Sequence, residues 1–307
     1  MKKIDGIVPV MLTPFTEQND VDYPDQANLI DWYLENKVDA LFAVCQSSEM
    51  QFLTLEERVA VARFVVDHVK GRVPVIASGH ISDDLGAQIE ELSAMAQTGI
   101  DALVLVTNHL DPQKTGSDTF FSTLNSLLDA LPESLPLGLY ECPAPYRRLL
   151  SDEELTYCAN TGRFVVLKDV SCDLDTVARR VKLVQGTPLT IINANAATAF
   201  PAMKAGSRGF SGVFTNVHPE LYVWLYHHHQ ENPALANELA DFLSLSAVTE
   251  TLGYPKNAKI YHQRRGTFDS IHCRVNKDDV LEKFWGLTVI LDQIRHGTAH
   301  YQKKIAQ

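Results

Sequence analysis

The chain is short of several things, and each shortage closes a class of function. Its five cysteines (45, 142, 158, 172 and 273) are an odd number and contain no CxxC pair. That suits a reducing cytoplasm better than a disulfide framework, and it offers no zinc-ligand spacing. No apolar run approaches the roughly 20 residues needed to span a bilayer. Positive charge is in deficit: the formal net charge is −11. Nucleic acid and anionic membranes both select clustered Lys and Arg, so neither is expected as a partner. The N-terminus, MKKIDGIVPVMLTPF, carries two lysines before an apolar stretch, but Asp5, Pro9 and Pro14 interrupt it. With no small-residue cleavage site after it, the segment reads as a poor signal peptide. Internal repeats and low-complexity tracts are also missing.

What is present is an ordinary globular composition, 45% hydrophobic and 21% charged over 307 residues. That length allows one large domain or two average ones. Short β-branched apolar runs recur at even spacing: 6–12, 39–45, 73–78, 101–107, 135–142, 163–168, 188–193 and 209–214. Continuous rather than alternating runs fit parallel strands covered on both faces. Helical patterning fills the gaps. In 53–70, Thr54 with Glu57 three residues on makes a capping box, and Ser151 with Glu154 does the same for 152–160. Ser82-Asp83 is a start signal for 84–97. Eight such strands alternating with helices predict a (β/α)8 TIM barrel over residues 1–218. An open doubly wound sheet is the alternative, weakened because no GxGxxG follows the first strand. Beyond 218 the strand pattern stops. Three helical stretches joined by a turn-rich segment at 254–266 predict a C-terminal helical appendix, residues 219–307, packed on the barrel.

In such a barrel, residues at the C-terminal ends of the strands form the site. Lys168 ends the sixth run, Tyr140 falls near the end of the fifth, and Cys45-Gln46-Ser47-Ser48-Glu49 follows the second. A lysine held among apolar residues has its ammonium disfavoured, and its free amine attacks carbonyls. The iminium so formed draws electrons from the neighbouring carbon, and a phenol such as Tyr140 can move the proton. The competing reading pairs Lys168 with Asp169 or lets it snorkel to the surface.

Four segments add a resemblance. GIVPVMLTPF (6–15), CQSSEMQFLTLEER (45–58), LYECP (139–143) and VVLKD (165–169) resemble motifs of the dihydrodipicolinate synthase/N-acetylneuraminate lyase family, a family of Schiff-base-forming (β/α)8 enzymes that handle pyruvate. GFSGVFTN (209–216) and YPKNAKIYHQ (254–263) are similar to further family segments. The resemblance implies a cofactor-free lyase with no metal, a small 2-oxo acid as substrate, and a homo-oligomer, tetramer or dimer. It implies Lys168 as the Schiff-base residue, Tyr140 as the acid/base residue above it, and Ser47 as a bridge in the proton relay. Gln46, Ser48, His80, His109, Asn193 and Ser211 are the candidate substrate-binding residues, with Asn108 and Asn195 beside them.

The chain departs from the family pattern in ways that bear on the substrate. Gln46 replaces a relay threonine, and an amide cannot ionise as a hydroxyl does. Pro145 stands where the synthase has a carboxylate-binding arginine, with Arg147 and Arg148 just beyond. Leu110 stands where the family has a tyrosine reaching across a dimer interface, and Asn193-Ala194-Asn195 replaces an acidic turn. These departures favour an aldolase cleaving or forming a 2-keto-3-deoxy sugar acid. The alternatives are a dehydratase of such an acid, the synthase itself, or a non-catalytic 2-oxo-acid-binding regulator. Cys45, Cys142 and Cys172, at strand ends, read as buried hydrophobes or a redox-sensitive group. His227-His228-His229 in a helix splay about 100° apart and cannot easily share a metal. Glu49 is expected to brace its loop, and Trp224 and Trp285 to serve helix packing or a subunit interface.

Overall fold

A computed structural model describes residues 3–306; Met1, Lys2 (one of the two N-terminal lysines) and Gln307 lie outside the described residues. Eight parallel strands form one sheet: β1 (Gly6–Ile7), β2 (Leu41–Phe42), β3 (Val75–Ala77), β4 (Ala102–Val106), β5 (Leu137–Tyr140), β6 (Phe164–Asp169), β7 (Thr190–Asn193) and β8 (Gly209–Phe210). All lie on the apolar runs, β6 extending one residue past its run to Asp169. Their order is sequential from β2 through β8, and β8 pairs β1. The remaining seam is closed just past β1, where Val10 bridges Phe42. There the Phe42 N–H donates to Pro9 O at 2.9 Å and the Met11 N–H to Phe42 O at 3.0 Å. The sheet is therefore a (β/α)8 barrel. Closure at β8 requires glycine at 209, because a Cβ there would lie 2.0 Å from the backbone oxygen of Gly6.

The helical ring is α1 (Tyr23–Glu35), α2 (Leu55–Val69), α3 (Leu85–Ala96), α4 (Ser117–Ala130), α5 (Asp152–Asn160), α6 (Leu174–Leu183), α7 (Ala196–Lys204) and α8 (Pro219–His228). The Thr54–Glu57 and Ser151–Glu154 capping boxes form as expected, satisfying the first orphan N–H groups of α2 and α5. α3 starts one residue later than expected, with the Asp84 carboxylate, rather than Ser82 or Asp83, accepting from the Ala87 N–H.

After α8 come α9 (Pro233–Ala247), α10 (Lys256–Arg264), α11 (Val280–Lys283) and α12 (Leu287–Ile305). Here the sequence expectation needs correction: the stretch read as turn-rich, 254–266, contains helix α10. Phe242 of α9, Leu291 and Tyr301 of α12 and the inner faces of α7 and α8 build apolar clusters beside the barrel wall. Trp224 packs against that layer, whereas Trp285 stands 92% exposed. No helix among the described residues is long and apolar enough to cross a membrane.

Candidate active site

Alternation along β6 decides where its two charges go. Val166 and Lys168 face the barrel axis, where they line one small cavity with Val8, Phe42, Ile76, Val104, Leu139, Ile192 and Ser211. Asp169, next in the strand, points outward and is held by the buried guanidinium of Arg180 from α6. Arg180 also grips Glu141, at 2.6 and 2.9 Å, and donates to Leu150 O at 3.0 Å. Glu141 in turn accepts from the Leu150 and Val170 N–H groups at 2.8 and 3.0 Å. This buried triad clamps the C-terminal ends of β5 and β6 from outside. It also removes Asp169 as a partner for the lysine.

Lys168 is 7% exposed and has no carboxylate partner among the described residues. Its Nζ lies 4.4 Å from the centroid of the Tyr140 ring and 5.6 Å from that of Phe42. Ring faces favour an ammonium by about 0.5–2 kcal/mol, but burial works the other way and prevails. Burial pushes the lysine pKa down; charge on Cys45 or Cys142 would push it back up to a smaller extent. The free amine is thus accessible at lower pH than for an exposed lysine. Imine formation with a 2-oxo acid is accordingly expected to accelerate with pH and level off below 10.5, the ordinary lysine value. Borohydride trapping rates across pH would show this, and a plateau only above that value would contradict it.

Tyr140 lies directly opposite Lys168 in the β5–β6 register. Burial, with Cys142 and Cys45 nearby, holds its phenol pKa well above the usual value, so it is a proton donor at neutral pH. Its O–H donates to Gln46 Oε1 at 3.5 Å, and Cys142 Sγ donates to the same oxygen at 3.5 Å. An amide oxygen receives a hydrogen bond but has no proton to hand on, so this branch of hydrogen bonds ends at Gln46. Burial also raises the Cys142 thiol, which stays protonated. Cys45 is buried with its thiol directed at Phe42 O and Ser48, while Cys172 is exposed.

Lys168, Tyr140, Gln46 and Ser211 are therefore brought to one mouth, Ser211 donating to Val8 O at 2.8 Å. Ser47 is buried in the loop after β2, and Tyr254, just before α10 and not singled out by sequence reasoning, accepts from the Asn216 amide at 3.1 Å. The other candidates have partners within the chain. Ser48 Oγ accepts from the Cys45 N–H at 2.9 Å and faces Met11 O and Ala43 O, each at 3.0 Å. His80 accepts from the Val106 N–H and meets Gln88; burial and neighbouring His109 press its pKa down to about 3, so it is neutral. His109 Nδ1 meets Asp83 at 2.8 Å, and its buried Nε2 has no partner. The Asn193 side chain closes a turn on Asn195. Asn108 ties down the 142–146 loop through three backbone oxygens.

Glu49 braces its loop, as expected, but chiefly through a buried lysine. It sits at φ 59°, an unusual conformation for a residue with a Cβ. Its Oε1 meets Lys259 Nζ of α10 at 2.6 Å with both side chains fully buried, and its Oε2 accepts from the Arg274 and Val275 N–H groups. Arg148 is consumed by Asp111 and Glu154 at 3.2 and 2.7 Å. Arg147 is exposed, donating to Val170 O at 3.1 Å. Leu110 is wholly buried in its own chain. His227, His228 and His229 bond separately to Asp39, Glu231 and Leu225 O. Among the described residues no cluster of three or more His, Cys, Asp or Glu is placed to hold a metal.

Known proteins resemble this chain in sequence and in fold. The model of the dihydrodipicolinate synthetase family matches residues 3–275. A 4-hydroxy-tetrahydrodipicolinate synthase of Clostridium perfringens is 30% identical over 215 residues, covering 70% of this chain and 72% of that protein. Among solved structures, dihydrodipicolinate synthase from Bacillus anthracis superposes with a TM-score of 0.85 at 22% identity, covering 95% of this chain and 99% of that one. YagE of E. coli K12, a family member solved in complex with pyruvate, gives a TM-score of 0.83 at 24% identity, covering 95% and 99%. These two structural likenesses show the fold; the sequence matches show the kinship. The chain belongs to the dihydrodipicolinate synthetase family and is an enzyme of the lyase class.

Proposed function

We propose that the protein is a class I lyase in which Lys168 forms an imine with pyruvate. One observation carries this reading: an inward lysine amine, its pKa lowered by burial and without a carboxylate partner, lies against a protonated phenol at the C-terminal end of a barrel. The amine adds to the keto carbon, the hydroxyl leaves as water, and the iminium makes the adjacent methyl acidic. Loss of that proton gives an enamine, which attacks an aldehyde; run backwards, the same steps cleave a C–C bond. The pyruvate complex of a family member supports pyruvate as the first substrate.

For the second substrate, the names of the relatives support condensation of the 4-hydroxy-tetrahydrodipicolinate synthase type over the sugar-acid cleavage favoured from sequence. The sugar-acid reading keeps one specific support. Position 145 is proline, Arg148 is committed to two carboxylates, and Arg147, though exposed, donates to Val170 O, so none of the three offers the arginine that the synthase uses for a second carboxylate.

Incubation with pyruvate followed by borohydride is the test. A reduced adduct on Lys168, located by peptide mass, is expected, and none there would end the imine reading. Turnover of the synthase's aldehyde against a panel of 2-keto-3-deoxy acids then chooses the second substrate. An adduct without turnover of either would leave a 2-oxo-acid-binding protein.

A further inference from the structure

The pairing of β5 with β6 contains a slip on which the site depends. Leu137 stands opposite Phe164, but Gly138 stands opposite Val166, so Val165 has no counterpart on β5. From there the shifted register sets Leu139 opposite Leu167 and Tyr140 opposite Lys168. Without the slip Tyr140 would stand opposite Leu167, and the phenol and the amine would lie on opposite faces of the sheet. Bulges of this kind re-aim side chains beside a site. Glycine at 138 admits the shifted pair, because a Cβ there would lie 2.9 Å from Val166 Cγ1 and 3.1 Å from Val104 Cγ2.

β6 is placed from its other side, where Val166 to Asp169 pair with Thr190 to Asn193 in unbroken register. The end of β5 is what remains to be fixed. Only three residue pairs follow the slip, and the last ladder bond, from the Glu141 N–H to Lys168 O, is long at 3.4 Å. Past it the chain turns away and comes back beside Glu141 at Leu150.

The outward residues supply the hold. Glu141 follows Tyr140, Asp169 follows Lys168, and the Arg180 guanidinium grips both carboxylates with all three side chains at most 1% exposed. One nitrogen of its fork serves Glu141 and Asp169 together, and the other serves Glu141 and Leu150 O. Glu141 also accepts from the Val170 N–H at 3.0 Å, which ties the end of β5 to the chain just past β6. In the unslipped register Glu141 would stand opposite Lys168, on the face away from Asp169, and one guanidinium could not reach both acids. Buried ion groups add little stability over apolar side chains of like volume, and their best-attested use is to fix register. Resting on the imine reading above, with Tyr140 as proton donor, we propose that Arg180 is a positioning residue. By bridging Glu141 and Asp169 it locks the shifted register that sets the phenol against the amine.

Exchange of the pyruvate methyl protons in D2O, followed by NMR, needs both the amine and the phenol, whereas borohydride trapping counts the lysines able to form the imine. The exchange rate per trappable Lys168 therefore reads geometry and not the amount of folded protein. Arg180→Lys keeps the charge but loses the fork, and is expected to lower that rate by about 100-fold, the effect of misplacing a reacting group by about 1 Å. Glu141→Gln leaves Arg180 paired with Asp169 and keeps the test open if Arg180→Lys does not fold; a loss of about 10-fold is expected from it. Because Arg180 acts through the phenol, Arg180→Lys should slow the Tyr140→Phe protein little further. Wild-type rates per trappable lysine in both Arg180→Lys and Glu141→Gln would overturn the inference and leave the imine standing. So would a full additional loss in the Tyr140→Phe background. Failure of the wild-type protein to trap pyruvate would instead remove the reading on which it rests.

Discussion

Lys168→Met is expected to abolish borohydride-trappable adduct, lower turnover by more than about 10^4-fold and yet make the fold more stable. The first effects follow from losing the nucleophile, since the remaining groups can position and protonate but form no covalent intermediate. The gain in stability follows from the site's own geometry. A basic group is buried at the barrel axis against rings and aliphatic side chains, with no carboxylate to compensate it. Methionine of similar length removes that desolvation penalty, worth about 1–3 kcal/mol for a buried polar group. The pH dependence has a definite sign. In the unfolded chain the amine keeps its proton up to about 10.5, whereas burial makes the folded chain release it earlier. Between those two values the unfolded state binds more protons, so wild-type stability rises with pH. The advantage of the methionine variant should therefore shrink as pH climbs through that window. Urea denaturation of both proteins at several pH values measures it. A variant less stable than wild type at neutral pH would contradict the account of the lysine, as would an adduct that survives the substitution.

Lys259→Met carries the largest expected loss of stability, about 3–5 kcal/mol, because it leaves Glu49 buried with only two backbone N–H donors. Glu49 already occupies a left-handed backbone conformation, and the loop it ends carries Gln46, Ser47 and Ser48. Loss of its partner should therefore disturb the site as well as the fold. Replacing both partners, Glu49→Gln with Lys259→Met, should cost clearly less than the single change, since no uncompensated charge then remains inside. Chemical denaturation of the two single variants and the double variant gives the coupling. A single Lys259→Met cost below about 1 kcal/mol would show that the pair matters little.

The barrel was legible because burial on both faces writes itself into continuous apolar runs, and β2 through β8 each lie on one. The caps at Thr54 and Ser151 were legible because their chemistry is local. Helix α10 was not. Its buried residues include Asn257, Lys259 and His262, which are satisfied by Thr249 O, by Glu49 and by Asn216 O. A helix buried through polar pairing has no apolar stripe for periodicity to detect, and its partners lie far away in sequence. Tyr254 was missed for the same reason: nothing in YPKN says that the phenol meets the Asn216 amide. The candidate hydroxyls and imidazoles show the converse. Residue type marked Ser48, His80 and Asn193, but only coordinates reveal that each is engaged within the chain.

The contact between Glu49 and Lys259 joins positions 210 residues apart, and this has a consequence for the order of events during synthesis. At about 5–20 residues per second, on the order of 10–40 s pass between translation of the two partners. In the later part of that interval, once residue 168 has been made, Lys168 can already be part of an emerging sheet while the loop opposite it has nothing to lock onto. The growing polypeptide therefore carries an unfinished reaction centre until its last quarter is made, and competence arrives near the end of translation rather than strand by strand.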